Sequence, residues 1–163
     1  MTDEPVTQGG DDEEPLQIPE IDQRLERILV PVDGSAGSEL GMAWADVIAR
    51  IAKAEVIVVV TCNPPSAIRR RGILETEHLR IEMEDDAKEV ATEAAQLFLD
   101  RGHRARAMVV VADAAEGILQ TAESESVDLI VMGRRGLGRL EGLLGSVSER
   151  VARHATVPVF LAS

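Results

Sequence analysis

The chain has 163 residues and one cysteine, 45% of its residues are hydrophobic and 2% aromatic, and its net charge is −12 at pH 7. This length fits one domain with a full core, and one cysteine excludes an intramolecular disulfide framework. The acidic balance disfavours binding to nucleic acid or to anionic membranes, because both carry negative charge that basic side chains would have to neutralise.

The excess of acid is concentrated at the N-terminus. Residues 1–26 contain nine acidic residues and one arginine, so they carry −8 of the net charge. Three prolines and few large apolar side chains accompany them, and such a composition does not repay the entropy of ordering a chain. We therefore predict a disordered tail over residues 1–25 and one domain over 26–163.

Nine elements alternate along the rest of the chain. Apolar runs bounded by turn residues predict strands over 27–33, 54–62, 104–111, 127–133 and 157–162. Apolar residues at helical spacing predict helices over 36–53, 75–101, 114–124 and 146–154. Strands that alternate with helices form a parallel sheet covered on both faces, so we predict a three-layer α/β sandwich with five parallel strands.

The apolar spacing also predicts which helix faces are buried. In the first helix the predicted inner residues are Leu40, Ala43, Trp44, Val47, Ile48 and Ile51, and a serine cap is expected at Ser35 or Ser38. In the second helix they are Leu79, Met83, Ala87, Val90, Ala94, Leu97 and Phe98, and Gly102 is expected to end the helix. Trp44 is therefore expected in the core.

Two loops are expected to meet at one end of the sheet. Ligands of parallel sheets bind at the carboxyl ends of the strands, where the strand order reverses. The loop after the first predicted strand begins at Asp33, and the loop after the fourth begins at Gly133. We expect both loops to border the same crevice.

The loop after the fourth strand has the composition of an anion site. Gly133 and Gly136 follow the strand directly, and glycine lets an anion approach backbone N–H groups closely. Ser146 and Glu149 have the spacing of a capping box, which predicts a helix start at Gly145–Ser146. Between Gly133 and Arg153, five arginines oppose two glutamates. The residues alone leave two alternatives open, a phosphate site and a structural turn.

Catalytic and metal-binding motifs are not found in the sequence. It contains neither a G-x-x-x-x-G-K-[ST] phosphate loop nor a G-x-S-x-G elbow. His78, His103 and His154 are predicted away from the crevice, and Cys62 is expected to be a small hydrophobic residue near a strand end. Neither a basic, apolar leader nor a run of about 18 apolar residues occurs, so we expect a cytoplasmic protein without membrane contact.

Three segments carry a resemblance to a known family. "RILVPVDGS" at 27–35, "VDLIVMGRRGLGRLEGLLGSVSERVARHA" at 127–155 and "VPVFLA" at 157–162 resemble the universal stress proteins, in order and over all five strands. The resemblance implies an α/β fold of the nucleotide-binding HUP class. It also implies a homodimer paired through the last strand, 157–162.

One branch of this family binds ATP and is recognised by the motif G-2x-G-9x-G-[ST]. Gly133 and Gly136 match the first two glycines, and Gly145–Ser146 match the last pair. Eight residues rather than nine separate Gly136 from Gly145, which shortens the loop by up to ~3.5 Å and alters the path of a triphosphate.

The resemblance implies the residues of a nucleotide site. Pro31, Val32 and Asp33 would contact adenine and ribose, Thr61 would line the adenine side, and Met132 would pack near the base or sugar. The ribose and phosphates would be held by Gly133, Arg134, Gly136, Gly145, Ser146, Val147 and Ser148. Asp33 can accept hydrogen bonds from ribose hydroxyls, and N–H groups at 145–148 can bind phosphate oxygens. The implied ligand is ATP, AMP or ADP, with Mg²⁺ or Mn²⁺ on the phosphates and no metal site of the protein's own.

Three functions are compatible with these expectations. The first is a dimeric ATP-binding regulatory or stress-response module with at most slow ATP hydrolysis and an unidentified partner protein. The second is a nucleotide-free scaffold for dimerisation and protein interaction, as in the other branch of the family, which the shortened loop favours. The third is a phosphotransferase or ATPase, which would need a carboxylate or histidine beside the γ-phosphate.

Overall fold

The computed structural model of the chain describes residues 24–63, 73–136 and 144–163, and within 73–77 it describes the backbone alone. The predicted disordered tail lies outside these residues except for Arg24 and Leu25. The shortened loop between Gly136 and Gly145 also lies outside them, except for Leu144.

Nine elements alternate over the described residues: β1 (Arg27–Pro31), α1 (Ala36–Ala52), β2 (Glu55–Cys62), α2 (Ile73–Asp100), β3 (Ala105–Val111), α3 (Ala114–Ser124), β4 (Leu129–Gly133), α4 (Ser146–His154) and β5 (Val159–Ala162). All paired strands are parallel, in the order β3-β2-β1-β4-β5. The predicted three-layer α/β sandwich is confirmed, and each element begins and ends within two residues of its predicted bounds.

Two apolar layers enclose the sheet. Ile28 and Val30 of β1 belong to a buried cluster with residues of α1 and α2, whereas Leu29 belongs to a second cluster with residues of α3 and α4. Successive side chains of a strand point to opposite faces, so β1 is buried on both sides. The same holds for β2, where every residue from Val56 to Val60 is buried.

Helix α1 buries its small residues rather than its large ones. Its buried residues are Ser38, Gly41, Ala45 and Ala49. The predicted inner face was wrong, because Leu40, Ala43, Trp44, Val47 and Ile51 are exposed, and of the six predicted residues Ile48 alone packs against the core. Trp44 is 43% exposed, and its ring lies 5.3 Å from that of Phe160 on β5. The small side chains let α1 lie close to the sheet.

Helix α2 follows its prediction more closely. Ala87, Ala94 and Phe98 are buried as predicted, but Val90 and Leu97 are exposed, so their predicted burial was wrong. The predicted ends are confirmed: Ser35 caps α1 by accepting the Ser38 N–H, and Gly102 follows α2 with a φ of +83°. None of the helices that the structure describes is long and apolar enough to cross a membrane.

Cys62 ends β2 and is buried, as predicted. Burial and the nearby Glu84 carboxylate raise the pKa of its thiol. The thiol is therefore held in its protonated, weakly nucleophilic form.

A nearly buried histidine links the segment after α2 to α1. His103 Nε2 lies 2.6 Å from Asp46 Oδ1, and the His103 side chain is 7% exposed. Arg50 donates to the other oxygen of Asp46 at 2.9 Å. Burial alone raises the pKa of Asp46, but the His103 hydrogen bond and the charges of Arg50, His103 and Arg101 outweigh it, so the pKa lies below its usual value.

We expect Asp46→Asn to lower the free energy of unfolding at pH 7 by roughly 1–2 kcal/mol, because a neutral amide loses the charge-assisted part of both contacts. The pKa of Asp46 in the folded state lies below its unfolded value near 3.8. Its contribution is therefore present above that unfolded value and is lost as the pH falls through the folded-state pKa. Urea unfolding of the wild-type protein and of Asp46→Asn at pH 7 and pH 3 measures this effect. If the two proteins differ in free energy of unfolding by the same amount at both pH values, the prediction is wrong.

Candidate functional site

The strand order of the sheet reverses between β1 and β4. From β1 the chain proceeds outwards through β2 and β3, then returns to β4 on the other side of β1. The loops after β1 and β4 therefore diverge and leave a crevice at the carboxyl ends of these strands. The crevice contains a cavity of about 600 Å³, and both predicted loops border this cavity.

The cavity gathers most of the residues predicted for the site. Eleven of the twelve line it: Pro31, Val32, Asp33, Thr61, Met132, Gly133, Gly136, Gly145, Ser146, Val147 and Ser148. Arg134 is not among the described lining residues. Its N–H donates to the Ala162 carbonyl at 2.8 Å, and its own carbonyl accepts from the Gly145 N–H at 3.0 Å. The backbone of Arg134 thus joins β4 to β5 and to the start of α4.

Seven other described residues line the cavity: Ser38, Val59, Ala114, Ile118, Arg135, Leu144 and Glu149. Strand alternation could have found Val59, which lies two residues before Thr61 on the same face of β2. Helical spacing could have found Ala114 and Ile118, which lie one turn apart. The position of Ser38 depends on how α1 packs, for which the sequence offers no local signal.

Asp33 lies at the mouth of the cavity with a fixed orientation. Its Oδ1 accepts from the Ser35 N–H at 3.1 Å and from the Ser35 hydroxyl at 2.6 Å. Its Oδ2 faces the other loop, since a Cβ added to Gly136 would overlap this oxygen. The carboxylate is therefore held between the loops after β1 and β4.

Helix α1 meets the end of β4 through glycines. A Cβ on Gly133 would overlap the backbone of Gly37, and a Cβ on Gly37 would overlap the carbonyl of Arg135. Both obstacles are backbone atoms, which cannot rotate away as a side chain can. Gly133 therefore joins α1 to β4 besides lining the cavity.

Helix α4 begins at Ser146 as predicted, but the predicted capping box was wrong. The N-cap is Gly145, which has no side chain to accept from the first turn, and the Glu149 N–H bonds to the Gly145 carbonyl at 2.8 Å. The Ser148 hydroxyl instead donates to the Gly133 carbonyl at 2.9 Å. The N–H groups of Ser146 and Val147 precede the first intrahelical hydrogen bond, so this cavity wall attracts an anion.

Ion pairs neutralise part of the positive charge predicted between Gly133 and Arg153. Arg150 contacts Asp113 at 2.8 Å, and Arg153 contacts Glu149 at 2.8 Å. Arg139 lies outside the described residues, and Arg135 lines the cavity. Within the described part of the chain, no three side chains of His, Cys, Asp or Glu converge where they could hold a metal ion.

Comparison with known proteins identifies the family. The model of the universal stress protein family matches residues 24–163. The chain belongs to this family. A universal stress protein of Thermus aquaticus is 37% identical over 136 residues, which cover 82% of this chain and 96% of that protein.

Solved structures of universal stress proteins share the fold. The structure of MJ0577, from Methanocaldococcus jannaschii, has a TM-score of 0.77 at 27% identity and covers 86% of this chain and 96% of its own. The structure of the universal stress protein from Archaeoglobus fulgidus in complex with dAMP has a TM-score of 0.60 at 22% identity, with coverages of 86% and 100%.

Two glycine substitutions should separate the structural part of this site from its ligand-facing part. We expect Gly133→Ala to lower the melting temperature by roughly 5–10 °C, because its methyl group meets the backbone of Gly37. A Cβ at Gly136 meets the Asp33 side chain rather than backbone, and the carboxylate can move aside only by giving up hydrogen bonds to Ser35, so we expect Gly136→Ala to lower the melting temperature by about 2–4 °C. Calorimetric melting of both variants measures this, and equal melting temperatures would contradict the assignment.

Proposed function

We propose that this universal stress protein binds an adenine nucleotide, ATP, AMP or ADP, in the cavity between the loops after β1 and β4. The observation that carries this proposal is that eleven residues of the implied nucleotide site line one cavity at the reversal of strand order. The dAMP complex of the Archaeoglobus neighbour supports the same class of ligand.

The first turn of α4 is suited to the phosphates. The N–H groups of Ser146 and Val147 face no side-chain cap, and the helix dipole adds positive potential at the same place. Arg135, in the loop that connects β4 to α4, also lines the cavity. A divalent cation, Mg²⁺ or Mn²⁺, would bind to the phosphates themselves, since no acidic cluster of the described residues offers it a site.

The first loop is suited to the ribose and base. The Asp33 carboxylate, held by Ser35, can accept hydrogen bonds from the two ribose hydroxyls. Pro31, Val32 and Met132 supply apolar surface for the flat faces of the base. Such a combination of apolar walls and a few oriented polar groups is typical of small-molecule sites.

Hydrolysis of a bound triphosphate would be slow at most. Among the described lining residues, the titratable side chains are Asp33, Arg135 and Glu149. Glu149 is paired with Arg153, and Asp33 already accepts two hydrogen bonds from Ser35. The protein would then act as a regulatory module, in which the nucleotide favours one conformation because it binds that conformation more tightly.

The proposed module is a homodimer that pairs through β5. Ile130 donates to the Pro158 carbonyl and Arg134 to the Ala162 carbonyl, so the backbone groups of Val159 point away from β4 to the open edge of the sheet. An open edge is a template for pairing with a second strand. Beside it lies an exposed apolar stripe of α1, formed by Leu40, Trp44, Val47 and Ile51, which a second copy would cover.

Nucleotide binding can be tested on the purified protein. We expect adenine nucleotide to be released on denaturation, and millimolar or tighter binding of ATP or AMP by calorimetry. Asp33→Ala should weaken AMP binding about tenfold or more, because charge-assisted hydrogen bonds to the ribose are lost. Asp100→Ala is the matched control, since Asp100 ends α2 and contacts Gln96. No released nucleotide and no binding at millimolar ATP would favour the nucleotide-free scaffold instead.

Dimerisation can be tested at the two sheet edges. Val159→Pro removes an N–H that points to the open edge of β5 and leaves the bonds to β4 intact, so we expect a monomer in sedimentation velocity experiments. Val111→Pro is the matched control on β3, the opposite edge strand. There the Ala112 N–H rather than the Val111 N–H donates to β2, so the substitution also removes an N–H without breaking a bond within the sheet. We expect this control to remain a dimer. A dimeric Val159→Pro protein with a native circular dichroism spectrum would contradict pairing through β5.

A further inference from the structure

Strand β3 forms one edge of the sheet, and β5 forms the other. The Ala112 N–H donates to the Cys62 carbonyl at 3.1 Å, and the Arg104 carbonyl accepts from β2 at 2.8 Å, so the even-numbered residues of this segment bond to β2. The N–H and C=O groups of the odd-numbered residues, from Ala105 to Val111, therefore point away from the sheet. No strand among the described residues pairs with them.

Strand β3 carries few of the features that protect an edge strand, which are shortness, proline and outward charges. It has seven residues, whereas β5 has four, and it contains no proline. Its one charged residue is Arg106, whose guanidinium contacts the carboxylates of Glu55 and Glu125 rather than reaching past the edge. The strand ends in three valines, and Val111 is 50% exposed. The edge is therefore able to accept another strand.

An apolar flank of α2 lies beside the same edge. Helix α1 packs on β1 and β4, whereas α2 packs on β2 and β3. Arg101, directly after α2, lies near enough to Asp46 of α1 for their charges to interact, so the opposite flank of α2 faces the β3 edge. At about 100° per residue, this flank carries Ile81, Thr92 and Leu99, all of them exposed. A strand added to β3 would cover part of this flank.

The described part of α2 is strongly acidic. Residues 78–100 contain seven acidic residues, Arg80 and Lys88, so they carry a net charge of −5. Six of the seven acidic residues are exposed, and the charge of Lys88 is already paired with Asp85 at 2.8 Å. A cluster of charges of one sign creates a local potential that attracts the opposite charge. The edge therefore favours a positively charged occupant.

The same charge disfavours the two occupants that the chain itself could supply. Residues 1–26 carry −8, so α2 repels the N-terminal segment. A second copy that paired with this edge would bring two α2 helices together, each with a charge of −5 over residues 78–100. A segment of another protein, extended and basic, is the occupant that the charges favour.

We propose that the β3 edge is a docking surface for an extended, basic segment of a partner protein. The segment adds one strand to the five-stranded sheet, and its backbone pairs with the outward N–H and C=O groups of β3. Its apolar side chains cover Leu99 and Val111, and its basic side chains are attracted by the acidic residues of α2. The inference is independent of nucleotide binding, and it leaves the β5 edge to the second copy.

Two blocked peptides of about eight residues, the length of β3, test this surface on the full-length protein. One alternates lysine with valine, and the other alternates glutamate with valine. In NMR titrations we expect the basic peptide to bind with a dissociation constant of about 1 mM or tighter, and the acidic peptide to bind at least roughly tenfold more weakly. The basic peptide should shift the amide signals of Ala105–Val111 and leave those of Val159–Ala162 unchanged.

Three variants test the backbone and the charges separately. Ala107→Pro removes an outward N–H from the middle of the edge and no bond to β2, so affinity for the basic peptide should fall about fivefold or more. The pair Glu82→Gln with Glu89→Gln removes two exposed charges of α2 and should reduce this affinity about two- to threefold. The pair Glu116→Gln with Glu123→Gln is the matched control, because these residues border a groove between α3 and α4. It should leave the affinity unchanged.

The inference is overturned if the wild-type protein binds neither peptide, or binds both equally well. It is also overturned if Ala107→Pro, with a native circular dichroism spectrum, binds the basic peptide as tightly as the wild type. An equal loss of affinity in the two glutamine pairs would overturn the role of α2. A smaller sedimentation coefficient for Ala107→Pro would show that a second copy occupies the edge instead. If Ala107→Pro does not fold, Val111→Pro removes the outward N–H at the end of the strand and replaces it.

Discussion

The close approach of α1 to the end of β4 is the constraint on which the cavity depends. Gly37 and Gly133 bring backbone against backbone, and the small buried residues of α1 allow the whole helix to lie near the sheet. Because Ser35 caps this helix and also holds Asp33, the helix position determines where the Asp33 carboxylate lies relative to Gly136. Larger side chains at this contact would separate the two loops that form the site.

The order and type of the elements could be predicted from the sequence because local signals were strong. The β-branched apolar run from Val56 to Val60 is typical of a strand buried on both faces, and Gly102 and Ser35 have the chemistry of helix ends. The buried face of α1 could not be predicted in the same way. Apolar spacing favours the large side chains of Leu40 and Trp44, whereas close packing on the sheet selects Gly41 and Ala45. Periodicity does not report how near a helix lies to its neighbour.

In the candidate site, too, some features follow from local sequence signals and others depend on backbone geometry and packing. The loops that border the cavity follow from strand order, and the strand and helix periods account for Val59 and Ile118. The N-cap of α4 depends on backbone dihedrals that a capping-box spacing does not determine, so Gly145 rather than Ser146 occupies that position. This difference strengthens the case for an anion, because a serine cap would itself have occupied part of the first turn. In an acidic protein, attraction for the phosphates of the proposed nucleotide would then come from oriented backbone groups rather than from net charge.

Because Cys62 is buried, alkylation of its thiol can report local opening of the native protein. As the chain's one cysteine, placed at the end of β2 directly after Thr61, it offers a thiol that reagents reach only when the surrounding packing loosens. The rate of alkylation at neutral pH therefore measures how often this end of the sheet opens, without any introduced label. The same rate, followed as ligand is added, would show whether occupation of the cavity stiffens the strand that forms its wall.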